Sequence, residues 1–142
     1  PHRILRSPSA RPDPSTARSV EEMYVYAACP DPAAAERCAG DWDPGSPIRA
    51  VVSGRKVYFF PPGVDKGTAL RRAAERFGPE RIIAAGDSVI DVPMLRRADL
   101  ALIPDTELLP QVPGARVCGP DQRFPDFVLS AVLQDAAGPA RT

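Results

Sequence analysis

The sequence predicts an α/β protein: one half of a doubly wound, Rossmann-type parallel sheet, preceded by a small α+β segment. After about residue 62, strand-type and helix-type patterns alternate at the spacing typical of a parallel sheet. That alternation extends over about 70 residues, which is half of a doubly wound sheet rather than a whole one. Residues 19–61 carry a hairpin signal and a short helix instead, which favours a separate α+β segment.

Length and composition exclude several classes of protein. The chain of 142 residues is long enough for a domain with its own core. Its 18 basic and 18 acidic side chains balance, so no nucleic acid or anionic membrane is expected as a partner. Three irregularly spaced cysteines argue against a disulfide framework or a zinc ribbon and favour a reducing cytoplasm. His2 is the only histidine, which argues against His-based triads and His-rich metal sites.

The first part of the chain is predicted to contain strands and one short helix. Residues 1–18, rich in Pro, Ser and Arg, are predicted to be a disordered lead-in. The run 20–28 is apolar enough for a strand, and a short helix is the alternative. Asp31 and Pro32 suit the start of a helix that ends near Gly40. Two β-rich runs, 48–52 and 56–60, with Ser-Gly-Arg between them, predict a hairpin.

The second part, residues 62–135, is predicted to be the α/β half. Asp65 can cap a helix over residues 66–77, and Gly78 stops it. Strands are expected at 81–85, 100–103 and 115–118, with helices over 91–98 and 124–133, and a disordered tail over 136–142. In the first of these helices one apolar stripe should face the core, formed by Leu70, Ala73, Ala74 and Phe77.

Two carboxylates follow the first predicted strand of this half, in the segment IIAAGDSVIDVPML. The strand delivers Asp87 at its carboxyl end, the chain turns at Gly86 and Ser88, and Asp91 follows at a helix start. Ligands of open α/β sheets bind at the carboxyl ends of strands, and paired carboxylates suit Mg²⁺. The alternative is that Asp87 and Asp91 simply cap the turn and the helix.

A lysine lies at the start of the preceding helix, in the segment GVDKGTAL. A cation at this position opposes the helix dipole, so Lys66 is locally unfavourable unless an anion pairs with it. The segment lacks the spacing of a phosphate-binding P-loop. A solvated lysine without a partner is the alternative interpretation.

Together these segments resemble motifs III and IV of the haloacid dehalogenase-like (HAD) hydrolases, in particular phosphatases with a cap inserted between motifs II and III. The resemblance covers about residues 56–104. It implies a HAD-like core in which Lys66 neutralises the nucleophilic carboxylate and the phosphoryl group. Asp87 would bind Mg²⁺, Asp91 would be a second metal-side or water-mediated carboxylate, and Gly86 and Ser88 would support the loop. Many relatives have Asn where this chain has Ile90, which leaves the contacts around the metal in question.

The same resemblance requires an aspartate nucleophile in motif I, an apolar strand running into D-x-D-x-[TV]. The one D-x-D of the chain, Asp41-Trp42-Asp43, follows no buried strand and precedes a Pro-Gly turn signal. Ser53 resembles the motif II residue, but it lies too close to Asp43 for a βαβ crossover between them, which takes roughly 30 residues. Both are interpreted as decoys. Residues 19–61 are therefore expected to be the end of a cap domain.

These expectations lead to two main functional hypotheses. The first is a Mg²⁺-dependent phosphatase for a small phosphorylated metabolite, present here as a C-terminal portion without its motif I nucleophile. The second is a non-catalytic HAD-like module that binds a ligand, a complementing chain or a second copy through an open sheet edge. A third is an unrelated α/β protein in which GDSVID is a structural turn.

Overall fold

The computed structural model describes residues 17–21 and 23–138 and divides between Asp65 and Lys66 into two compact units. The first unit is an antiparallel sheet of order β1-β2-β4-β3 with one helix. Its elements are β1 (Ala17–Val20), β2 (Tyr24–Ala28), α1 (Pro32–Gly40), β3 (Arg49–Ser53) and β4 (Lys56–Phe60). The second unit is a parallel sheet of order β5-β6-β7. Its elements are α2 (Lys66–Phe77), β5 (Ile83–Ala85), α3 (Val92–Leu95), β6 (Leu100–Ile103), β7 (Arg116–Val117) and α4 (Phe124–Ala136).

The mixed α/β fold with a parallel sheet confirms the predicted fold class. In the second unit α3 packs on one face of the sheet, where Leu95 and Ile103 are almost fully buried. On the other face α4 packs Phe127 and Ala131 against Leu102. A sheet covered on both faces is the arrangement in which parallel strands are stable.

Five local predictions need correction. Ala136, assigned to the tail, is the last residue of α4, while residues 139–142 lie outside the described part of the chain. Ala17 and Arg18, assigned to the lead-in, belong to β1, while residues 1–16 lie outside the described part of the chain. The run 20–28 is not one strand, because the chain turns at Glu21 in the left-handed region (φ 45°) and Met23 N donates to Val20 O at 2.8 Å. This turn closes a hairpin between β1 and β2.

The other two corrections concern helices. The helix after Asp91 ends at Leu95 rather than Ala98, because the next amides bond three residues back, Arg97 N to Met94 O and Ala98 N to Leu95 O. A short 3-10 turn over Val89–Asp91 precedes it. The apolar stripe of α2 is not buried as predicted: Phe77 is 77% exposed, and Gly67 is the one residue of this helix that is buried. No helix in the described ranges is long and apolar enough to cross a membrane.

Candidate active site

Asp91 is the buried centre of the loop that follows β5. It is 3% exposed, and it is the one charged residue in the described part of the chain that is buried. Its Oδ2 accepts hydrogen bonds from the backbone amides of Asp87 and Ser88, both at 3.1 Å, and from Ser88 Oγ at 3.0 Å. Its Oδ1 accepts a hydrogen bond from Lys66 Nζ. Both oxygens are thus engaged by donors, as a buried carboxylate requires.

The electrostatics of Asp91 follow from these contacts. Burial by itself raises the pKa of Asp91, because it disfavours the charged form. The hydrogen bond and the charge of Lys66, together with the donors of Ser88 and Asp87, outweigh that effect and hold the pKa below its ordinary value. Asp91 is therefore a carboxylate at neutral pH.

Gly86 allows the loop to close around Asp91. A Cβ on Gly86 would lie 2.5 Å from Asp91 Cβ and 2.8 Å from its Cγ, closer than real contacts allow. Gly86 N also donates to Leu102 O at 3.1 Å, which holds the end of β5 against β6. The glycine therefore brings the strand end and the carboxylate into direct contact.

Lys66 connects α2 to this loop. It is the first residue of α2, and its ammonium forms an ion pair with Asp91. The side chain is 52% exposed, so the ammonium reaches solvent on one side while it contacts a buried carboxylate on the other. A cation at the start of a helix is unfavourable unless an anion pairs with it, and here Asp91 is that anion.

Asp87 differs from Asp91 in its surroundings. It follows the end of β5, it is exposed, and its backbone amide rather than its carboxylate takes part in the loop. The structure therefore brings the side chains of Lys66, Asp91 and Ser88 into direct contact, whereas Asp87 contacts Asp91 through its backbone amide. At the same strand end, Asp91 is therefore buried and Asp87 is exposed.

The loop after β5 contains carboxylate oxygens, which are ligands of the type that Mg²⁺ prefers. Mg²⁺ keeps several waters and is usually held by one or two carboxylates and by substrate phosphates. The exposed carboxylate of Asp87 is such a donor, whereas both oxygens of the buried Asp91 already accept hydrogen bonds. Within the described residues no group of three or more Asp, Glu, His or Cys side chains surrounds a common point. Oxygen donors from a phosphate or from further sequence would complete the coordination.

The two segments that superficially resemble motifs I and II, Asp41–Asp43 and Ser53, lie in the first unit. Asp41 follows α1, and Asp43 Oδ1 accepts from Gly45 N at 2.9 Å, which is a local turn. Trp42 between them is half-buried against Phe59 and donates from Nε1 to Ile48 O at 2.7 Å. Ser53 ends β3 opposite Lys56.

Gly67 is a residue near the site whose role the sequence did not reveal. A Cβ on Gly67 would lie 2.3 Å from Pro93 O and 2.8 Å from Arg97 Nε. The absence of a side chain lets the start of α2 lie against α3, and this position carries Lys66 toward Asp91. The sequence could have indicated this close packing, since a glycine inside a helix is unfavourable unless a neighbouring element leaves no room for a side chain.

Comparison with known proteins supplies a family match. The family model described as haloacid dehalogenase-like hydrolase matches residues 18–103. Phosphoglycolate phosphatase from Methanoculleus marisnigri is 39% identical over 62 residues, which are 42% of this chain and 26% of that protein. The protein of the same name from Methanothrix thermoacetophila is 43% identical over 51 residues, 34% of this chain and 23% of that protein.

A solved structure supports the fold. A protein from Eubacterium rectale matches 87% of this chain with a TM-score of 0.53 and 20% identity, and the match covers 48% of that protein. At this identity the likeness shows the fold alone. The chain spans about a quarter of the length of the two curated relatives and about half of the solved structure.

Proposed function

The chain belongs to the haloacid dehalogenase-like hydrolases, and we propose that it forms part of a Mg²⁺-dependent phosphatase for a small phosphorylated metabolite. The observation that carries this proposal is the ion pair of Lys66 with the buried Asp91, next to the exposed carboxylate of Asp87. An ammonium and a metal-binding carboxylate at one strand end suit a phosphoryl group, whose charge must be neutralised during transfer. The two curated relatives named phosphoglycolate phosphatase support this reaction class.

Each residue of the loop would have a defined task. Asp87 would bind the Mg²⁺ ion directly, and Asp91 would contribute on the metal side through a water, because its own oxygens already accept hydrogen bonds. Lys66 would hold its ammonium toward the phosphoryl oxygens, oriented by Asp91. Gly86 and Ser88 would maintain the turn. The metal, when bound, would add positive charge that stabilises the transferring group.

The nucleophile would come from outside these 142 residues. By the family resemblance an aspartate attacks phosphorus in line, forming an acyl-phosphate bond while the ester oxygen leaves with the alcohol product. Water then cleaves that bond and releases phosphate. The D-x-D at Asp41 and Asp43 lies in a turn after α1 rather than after a buried strand, so it does not suit this role.

The open edge of β5 is where the missing part could join. Ile82 O and Gly86 N bond to β6, so the intervening Ile83 and Ala85 direct their backbone groups to the opposite edge. No strand among the described residues pairs with that edge. We therefore propose that a strand from further sequence, from a complementing chain or from a second copy pairs there, and that residues 19–61 are part of a cap.

A non-catalytic, ligand-binding HAD-like module is the second candidate. It is favoured by the placement of the one D-x-D of the chain in a turn. The two candidates make opposite predictions for turnover once the upstream sequence is present.

The test is a protein that carries these residues joined to their upstream sequence. We expect Mg²⁺-dependent hydrolysis of small phosphomonoesters that Asp87→Asn reduces by at least about 100-fold, because charge stabilisation of that size is typical of such groups. Asp121→Asn, which removes an exposed carboxylate in the loop before α4, is the matched control and should retain activity. Full turnover by the Asp87→Asn protein would show that the site is wrongly assigned. No turnover by the unsubstituted protein would favour the binding module.

A further inference from the structure

Among the described residues of the first unit, α1 covers one face of the sheet and no helix covers the other. Because side chains alternate along a strand, Val57 and Phe59 lie on one face and Tyr58 and Phe60 on the other. α1 covers the first face, where Ala35 packs in the same cluster as Val57 and Phe59. The second face, here called the aromatic face, carries four half-buried rings on the two central strands: Tyr24, Tyr26, Tyr58 and Phe60.

The four rings form one continuous row. Tyr26 and Tyr58 have centroids 5.7 Å apart, and Tyr58 lies 5.9 Å from Phe60 with parallel planes. Tyr24 lies 5.1 Å from Phe60. Such rings hold one another in place, because aromatic pairs at these distances attract beyond the area they bury. The row is therefore a preorganised platform with its ring faces partly open to solvent.

Cations lie at both ends of this row. Arg49, paired with Phe60 across β3 and β4, holds its guanidinium 5.8 Å from that ring. Lys56 holds its ammonium 5.2 Å from the ring of Tyr26. The strand register places Arg18 on the same face, opposite Tyr26. None of the side chains that the register places on this face is acidic.

We propose that the aromatic face binds a small anion that carries a planar ring, of the nucleotide type. The rings offer stacking to a planar group, and the flanking cations offer partners for its phosphate. The cations argue against a second copy of this face, since like charges would meet across the interface. Within residues 17–65 acidic side chains outnumber basic ones, which disfavours a long polyanion and favours a small ligand.

The proposal is independent of phosphatase activity, because its readout is binding to the chain as it stands. We would titrate the 142-residue protein with adenosine monophosphate and follow the ring resonances by NMR. We expect shifts confined to the aromatic face and a Kd at least about fivefold lower than for ribose 5-phosphate, since stacking of a base on aromatic side chains strengthens binding. Adenosine, which lacks the charge, should also bind more weakly.

Two double variants, each of which removes two positive charges, distinguish binding at the aromatic face from a general attraction of the protein for anions. Arg49→Gln with Lys56→Gln should weaken binding of adenosine monophosphate by about tenfold. Arg37→Gln with Arg55→Gln removes the same charge from α1 and from the turn after β3, and should leave the affinity unchanged. An equal loss in both pairs would overturn the proposal.

Three other results would also overturn it. Equal affinity for ribose 5-phosphate would show that the ring contributes nothing. Tighter binding of an eight-nucleotide oligothymidylate than of the mononucleotide would identify a single-stranded nucleic acid as the ligand. Ring shifts that depend on protein concentration without ligand would identify a second copy.

Discussion

At the scale of the residue, the loop after β5 depends on one carboxylate that satisfies donors from two elements. Asp91 joins the backbone of Asp87 and Ser88 to the ammonium of Lys66, which comes from a different helix. Hydrogen bonds to a buried charge are among the stronger ones in proteins, and losing the acceptor leaves its donors without a partner. The geometry of the site therefore depends on Asp91 even though Asp87 is the residue better placed for a ligand.

Asp91→Asn is expected to destabilise the protein by about 2 kcal/mol at neutral pH, since the neutral amide forms no ion pair with Lys66 and its NH2 group replaces one of the two acceptor oxygens. Because the native pKa of Asp91 is lowered, its stabilisation is present above the unfolded value of about 3.9 and is lost as the pH falls through the native pKa. Urea unfolding at several pH values measures this. The difference between the two proteins should shrink below about pH 4, whereas Asp121→Asn should match the unsubstituted protein throughout. A difference that persists unchanged at acid pH would contradict this account.

Much of this site could be predicted at the residue scale, but the division of tasks could not. The sequence placed Asp87 and Asp91 at the end of a strand and Lys66 at the start of a helix, because Gly86 and Gly78 marked the element boundaries, and only the family resemblance joined the three residues in one site. It could not distinguish the buried carboxylate from the exposed one, since both are aspartates near a turn. That difference arises from tertiary packing around Gly86.

At the scale of the element, α2 is held by its first turn rather than by an apolar stripe. Gly67 is buried against α3, while Phe77 at the other end of the helix is exposed. The helical periodicity predicted that the stripe of Leu70, Ala73, Ala74 and Phe77 would face the core, but Ala73 and Phe77 are exposed and Leu70 and Ala74 are only half-buried. The hairpin of β1 and β2 was missed because its turn uses Glu21 with a positive φ, where a glycine would have marked the turn.

Gly67→Ala is expected to destabilise the second unit by about 1–2 kcal/mol. The new methyl group would meet the carbonyl oxygen of Pro93, a backbone atom that cannot rotate away, and this overpacking exceeds the gain in helix propensity of about 1 kcal/mol. Thermal unfolding followed by circular dichroism measures the change. Gly40→Ala is the matched control, because Gly40 is also helical but has open space where a Cβ would lie, so that substitution should cost nothing. Equal stability of the two variants would show that α2 and α3 can move apart freely.

At the scale of the whole molecule, the second unit exposes several large apolar side chains. These are Phe77 on α2 and three residues on one side of α4, whose exposed fractions are 58% for Leu129, 40% for Val132 and 61% for Leu133. The same unit has the unpaired edge of β5. Exposed apolar residues and a free strand edge are each typical of an interaction surface. This supports the proposal that further sequence or a partner completes the sheet.

That interpretation predicts self-association of the 142-residue chain through its second unit. Leu129→Gln with Leu133→Gln should weaken the association constant by at least about tenfold, because burial of one leucine side chain contributes about 1.5–3 kcal/mol. Sedimentation equilibrium measures the constant, and Gln134→Ala, on the same helix but already polar, is the control that should leave it unchanged. A wild-type chain that stays monomeric at high concentration would contradict this prediction and would show that the exposed side of α4 needs no partner.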